Sequence, residues 1–311
     1  MKQTNVSVDG PPFPRRAGPL VSARRLGAAI ERNIMRNLPQ WCRAVARAPR
    51  APIPAVAKTA ILAIAVAPAV IVAAMFFVDR AAADWARHLP RGFTIAFVRI
   101  SDAAYSTWFL VPTGFAVLCL AALLRPELPR LTRGVIEALA ARCGFLFLAI
   151  GAPSLFDTIV KRLIGRARPY ADIHGDPFTY MPFVWRPDYA SLPSGHATVA
   201  GAAAIAIGAI WPPMRPLMWL YALIIMFSRV AALAHHPSDV IAGVLVGAIG
   251  AGLVRRYFAA RRLVFSPRDL ARLPGPSLRR IVAAMRTPLP DAKRAGKSPA
   301  KTPPRNDGAI D

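Results

Sequence analysis

Six apolar runs limit what this chain can fold into. They cover residues 59–78, 104–124, 134–160, 196–211, 217–234 and 240–254. About twenty apolar residues span the hydrocarbon core of a bilayer as one helix. The expectation is therefore an all-α polytopic membrane protein, a bundle of six transmembrane helices. Pro68 interrupts the first run, where it can kink a buried helix without ending it. The fourth and sixth runs are short, and the sixth can extend through Ser238 and Asp239 at one end and Phe258 at the other. Residues 79–102 are mixed and read as an interfacial connection.

Composition agrees with the runs: 55% of residues are hydrophobic and the mean hydropathy is +0.38. The net charge of +24 would suggest a nucleic-acid partner in a soluble chain. Here the charge gathers outside the apolar part and no nucleic-acid motif accompanies it. Basic flanks beside spans serve as orientation signals and as contacts for anionic headgroups. The chain thus divides into a basic arm at 1–54, a six-span core at 55–258, and a basic, Pro-rich tail at 259–311, with disorder expected from about residue 285. Within the first arm, residues 26–45 read either as a basic amphipathic surface helix or as disordered chain; Ile30, Ile34, Leu38 and Trp41 fall near one face.

Cys42, Cys119 and Cys143 form no CxxC and fit neither a disulfide framework nor a zinc site. The first apolar run starts too late and runs too long for a signal peptide. Ten Lys/Arg lie in residues 1–50 and fourteen in residues 255–311, which places both arms in the cytoplasm by the positive-inside rule. The loops at 79–103, 161–195 and 235–239 then face outward. They carry arginines too, so two of them need their cations for another reason.

Three polar clusters stand in or beside these outward loops. Lys161 and Arg168-Pro169 close the third span. They are seven residues apart and share a face if the helix continues to Pro169. Asp157 lies one turn before Lys161 and can pair with it. Pro193-Ser194-Gly195-His196 opens the fourth span, where free N–H groups and the helix dipole favour an anion and Gly195 admits close approach. Ser194 can donate to a phosphate oxygen. Ser228-Arg229 closes the fifth span, and a charge there needs an anionic partner. His235 follows, with Asp239 in the first turn of span six, placed to hold one imidazole nitrogen and leave the other as a lone pair. His236 lacks that spacing and reads as interfacial. Each cluster alone has an ordinary reading, as anchoring cations, a Ser cap or a helix-start acid. Together they reach one membrane face.

In order and spacing the three clusters resemble the tripartite signature of the type 2 phosphatidic acid phosphatase (PAP2) superfamily, over roughly residues 55–258. The resemblance implies that His235 attacks phosphorus and becomes a phosphohistidine, that Asp239 orients it, and that His196 protonates the leaving oxygen and then activates water. Lys161, Arg168, Ser194, Gly195 and Arg229 would bind the phosphate. It implies no metal and no cofactor. The expected activity is hydrolysis of a lipid phosphate or pyrophosphate: undecaprenyl pyrophosphate, phosphatidylglycerophosphate, phosphatidic acid or a lipid A phosphate. The expected place is a bacterial inner membrane, with the site facing the periplasm. A lipid phosphotransferase using the same phosphohistidine is the nearest alternative. An anion transporter or channel would need polar residues along the spans, which instead gather at one face.

Overall fold

The computed structural model describes residues 19–171 and 176–273, together with Arg279, Val282, Ala283 and Arg286. The first eighteen residues and most of the expected disordered tail lie outside the described residues. Among the described residues there are nine α-helices and no strand: α1 Pro19–Ala46, α2 Lys58–Phe77, α3 Asp79–Arg87, α4 Arg91–Asp102, α5 Thr107–Leu123, α6 Arg130–Ile164, α7 Gly195–Ile210, α8 Arg215–Ala231 and α9 Pro237–Ala260.

Four helical stretches are long and apolar enough to cross a membrane: Arg91–Leu123, Arg130–Ile164, Pro212–Ala231 and Pro237–Ala260. A fifth arises if Ile64–Phe77 and Asp79–Arg87, bent by 51°, count as one broken span. The expected six-span count meets its difficulty at α7, a helix of only 16 residues. Burial accounts for its composition. Helices α6, α8 and α9 enclose it, and Ala197, Ala200, Ala202, Ala203, Ala206 and Ile210 are all buried. A helix enclosed by others is apolar all round. Small side chains let its neighbours close in: a Cβ on Gly247 of α9 would sit 2.0 Å from the Thr198 carbonyl of α7. Towards the end of the bundle away from the polar clusters, Phe145 packs edge-on against Phe258 and Phe265.

One stretch departs from expectation, and a second takes the helical one of its two expected readings. The 79–102 connection is helical, as α3 and α4, and α4 leads into the second span instead of preceding it. The residues at 19–46 form a helix, not a disordered arm. Asn37 on its inner face is buried and donates to the Ala121 and Leu124 carbonyls at 2.9 and 2.7 Å, satisfying acceptors that the end of α5 leaves open.

Candidate active site

Helix α6 ends at Gly165, whose φ of +64° is the left-handed conformation that closes helices. Only glycine fits, because a Cβ there would lie 1.9 Å from the Met181 carbonyl. The condition under which Lys161 and Arg168 would share one helical face, a helix running on to Pro169, is therefore not met. Lys161 is on the helix and Arg168 is beyond it. The loop returns Arg168 to the site by other means. Met181 N–H donates to the Gly165 carbonyl at 2.7 Å, Ala167 to Thr179 at 2.9 Å, Arg168 to Asp188 at 2.8 Å and Ser191 to Arg166 at 3.1 Å.

The three clusters do converge. Lys161 pairs with Asp157, as the one-turn spacing predicts. The ammonium lies against the start of α7, where a Cβ on Gly195 would meet Lys161 Nζ at 2.9 Å. The Ser194 N–H donates to the Asp239 carbonyl at 3.0 Å, joining the starts of α7 and α9. Arg229 extends from the last turn of α8, 8% exposed, with Nη1 donating to Ser101 Oγ of α4 at 2.7 Å. The His196 ring stands 4.9 Å from that of Tyr105, in the turn between α4 and α5.

His235 lies between α8 and α9 and is 2% exposed. Its Nδ1 is 2.9 Å from the Ser191 carbonyl. A carbonyl only accepts, so Nδ1 carries the proton and Nε2 keeps its lone pair. The expectation that Asp239 takes this proton directly needs revision, since its Oδ2 is 3.8 Å from Nδ1. That carboxylate instead accepts from Ser191 Oγ at 2.6 Å and from the His236 N–H at 2.9 Å. Asp239 acts on the ring through its charge and through Ser191. Burial pulls the His235 pKa down to about 3, against the opposing pull of Asp239, so the ring is neutral at neutral pH. His236 is buried at the N-cap of α9 rather than interfacial.

Four polar atoms of the expected site residues are buried with no hydrogen-bond partner: Arg168 Nε, Ser194 Oγ, His196 Nε2 and Arg229 Nε. Among the described residues neither arginine forms an ion pair with a carboxylate. Burial also pulls the Arg168 pKa below its ordinary value. Other buried atoms also lack a partner, among them Arg255 Nε and Arg261 Nε; what marks these four is that their side chains gather with Lys161 and His235, a setting that suits a hydrogen-bond acceptor of negative charge.

Sequence reasoning missed Arg166, Asp79, Ser191, Ser101 and Tyr105. Asp79 had a signal, an acid directly after a long apolar run, which calls for a buried cation. That cation is Arg166, with Nη2 at 2.8 Å from Asp79 Oδ2 and Nη1 at 2.6 Å from Asp239 Oδ1.

The comparisons with known proteins agree with this geometry. Residues 142–263 match a family model described as the PAP2 superfamily. Two curated relatives are both named lipid A 1-phosphatase. The one from Rhizobium johnstonii is 36% identical over 121 residues, 39% of this chain and 50% of that protein. The one from Rhizobium etli is 35% identical over 121 residues, 39% of this chain and 52% of that protein. The chain spans about half the length of these relatives. No solved structure matches.

Proposed function

We infer, from the match of residues 142–263 to the PAP2 superfamily model and from the geometry above, that the chain is a membrane phosphatase hydrolysing a lipid phosphate monoester or pyrophosphate through a phosphohistidine. The observation that carries this reading is the convergence of Lys161, Arg168 and Arg229 on His196 and of the two arginines on a neutral His235, with Ser194 Oγ and His196 Nε2 buried there without a partner.

In the first step the His235 Nε2 lone pair forms a bond to phosphorus as the bond from phosphorus to the lipid oxygen breaks. His196, protonated, gives that oxygen its proton. Lys161, Arg168, Arg229, the Ser194 hydroxyl and the Gly195 N–H hold the phosphoryl oxygens, whose charge spreads in the transition state. In the second step His196 takes a proton from water, the oxygen attacks phosphorus, and His235 leaves with its lone pair restored. The chemistry asks for no metal.

The proposed topology has six spans, with α7 as a short enclosed crossing and α2–α3 as a broken one. Both arms lie in the cytoplasm and the site opens to the periplasm of a bacterial inner membrane. Helix α1 exposes Leu26, Ile30 and Met35 and carries Arg24, Arg32 and Arg36, a pattern suited to an anionic membrane surface. Among candidate substrates a lipid A phosphate comes first, since both relatives carry that name.

The test is phosphate release by the purified protein from lipid A, phosphatidic acid, phosphatidylglycerophosphate and undecaprenyl pyrophosphate. Release is expected from at least one, abolished by His235→Ala and by orthovanadate, and untouched by EDTA. Full turnover by His235→Ala sinks the nucleophile assignment. A cysteine at Asp176 should react with an impermeant reagent from the periplasmic side only.

A further inference from the structure

We propose that Asp79 and Arg166 are positioning residues for phosphoryl transfer: a buried clamp that fixes Asp239 and sets the electrostatic field behind the His235 ring. This rests on the phosphatase reading above. Arg166 is fully buried, and its fork is engaged on three sides. Its Nη1 donates to Asp239 Oδ1 at 2.6 Å and to Ser238 Oγ at 2.7 Å, its Nη2 to Asp79 Oδ2 at 2.8 Å, and its Nε to the Pro177 carbonyl at 2.9 Å. Asp79 also receives the Ser238 N–H at 2.9 Å and the Ser238 hydroxyl. One guanidinium thus ties together the bend between α2 and α3, the loop after α6 and the first turn of α9.

The composition of the clamp argues that it does more than hold the fold. One carboxylate would neutralise Arg166. Here there are two, Asp79 and Asp239, both fully buried, so the group carries one net negative charge. A buried net charge is strongly disfavoured unless an opposite charge stands near it. The nearby groups include the cation Arg168, the His236 ring at the start of α9, and His235, whose Nδ1 is 3.8 Å from Asp239. His235 is neutral at rest. When its Nε2 bonds to phosphorus the ring becomes cationic, with Nδ1–H still on the Ser191 carbonyl. The pull of the Asp239 carboxylate on the ring strengthens at that moment, beyond the standing attraction it already has for Arg168. Interactions that strengthen only during the reaction raise the rate of the chemical step.

Removing the Asp79 charge lets Arg166 neutralise Asp239 and weakens the field at the ring. Asp79→Asn keeps the shape and is expected to lower kcat about 10- to 100-fold, the range seen when a partner orienting a ligating histidine is lost. KM should stay within about threefold, since the phosphate-binding groups are untouched. Arg166→Lys should fall at least as far, because a point ammonium cannot bridge two carboxylates. The experiment pairs these kinetics with histidine-selective ¹⁵N NMR of the full chain in detergent, which reads the His235 ring without turnover. The clamp predicts a shifted His235 signal in Asp79→Asn. An Asp79→Asn protein with kcat within about twofold of the parent, or with an unshifted His235 signal, overturns it. So does a loss of kcat that only tracks a loss of folded protein. If the parent releases phosphate from no lipid phosphate while Asp79→Asn still shifts the His235 signal, the phosphatase reading fails and the clamp stands as the device that positions His235.

Discussion

Arginines crowd both ends of this bundle and are used in opposite ways. At the end away from the site they finish helices. Arg215 Nε donates to the Gly208 carbonyl at 3.0 Å and Arg272 Nη1 to the Ile210 carbonyl at 2.9 Å, so two side chains close the C-terminus of α7. Arg142 reaches the Leu273 carbonyl at 3.4 Å, and Arg255 reaches the Leu270 carbonyl while lying over the Phe265 ring. Each cation goes to its own acceptor. At the site end Arg168 and Arg229 turn towards common ground with Lys161, His196 and His235, so that several cations face one group of polar side chains. Arg166, two residues from Arg168, belongs to neither pattern, since its guanidinium is locked between two carboxylates. Charge counting rates these arginines alike. What separates them is whether they gather around shared polar side chains or each meet a separate carbonyl.

The sharpest way to break this contrast is to remove a cation from each end. Arg229→Ala is expected to lower the rate of phosphate release about 100- to 1,000-fold, the loss typical of one donor aimed at developing charge. Arg168→Lys should be as severe, since a point charge does not replace a fork. Activity within about threefold of the parent would mean that these arginines are structural.

At the opposite end, Arg272→Ala should leave kcat unchanged and reduce stability by about 1–3 kcal/mol, because the buried Ile210 carbonyl loses its donor. Thermal unfolding in detergent measures this. A loss of activity in the folded variant would show that the far end also serves the site.

The smallest expected effect concerns pH. The His235 pKa of about 3 lies below the ordinary value of 6.5, so unfolding takes up a proton between those values. Stability contributed by a neutral His235 is present above pH 6.5 and declines as pH falls towards 3. The fall in unfolding temperature between pH 7 and pH 4.5 should be smaller in His235→Asn than in the parent. An equal fall in both would contradict a buried, neutral ring.

The site residues were legible because the chemistry restricts them to a few residue types at fixed spacing. Lys161, Ser194, Gly195, His196, Arg229, His235 and Asp239 each have an ordinary reading alone and stand out only as an ordered set, and the structure brings them to one end of the bundle. Their supports were not legible. Ser191 acts through a carbonyl that every residue possesses, Ser101 stands in a stretch that reads as a connection, and Tyr105 stands at the start of a run that reads as a span. Arg166 looked like one more loop cation until its distance to Asp79 was known.

The sequence by itself determined that the chain is helical and apolar, because continuous hydrophobic runs need their backbone bonds satisfied within the segment. It also supplied the candidate side chains for the proposed phosphoryl site. Only the tertiary structure decided where α6 stops, since the Gly165 conformation is tied to a backbone contact with Met181, sixteen positions on. It also decided that α7 is enclosed by its neighbours, and that Asp79 and Asp239, 160 positions apart, share one arginine. Local pattern fixes periodicity and chemistry. Pairing between distant segments depends on how helices pack, and a single buried charge cannot show which partner it will meet.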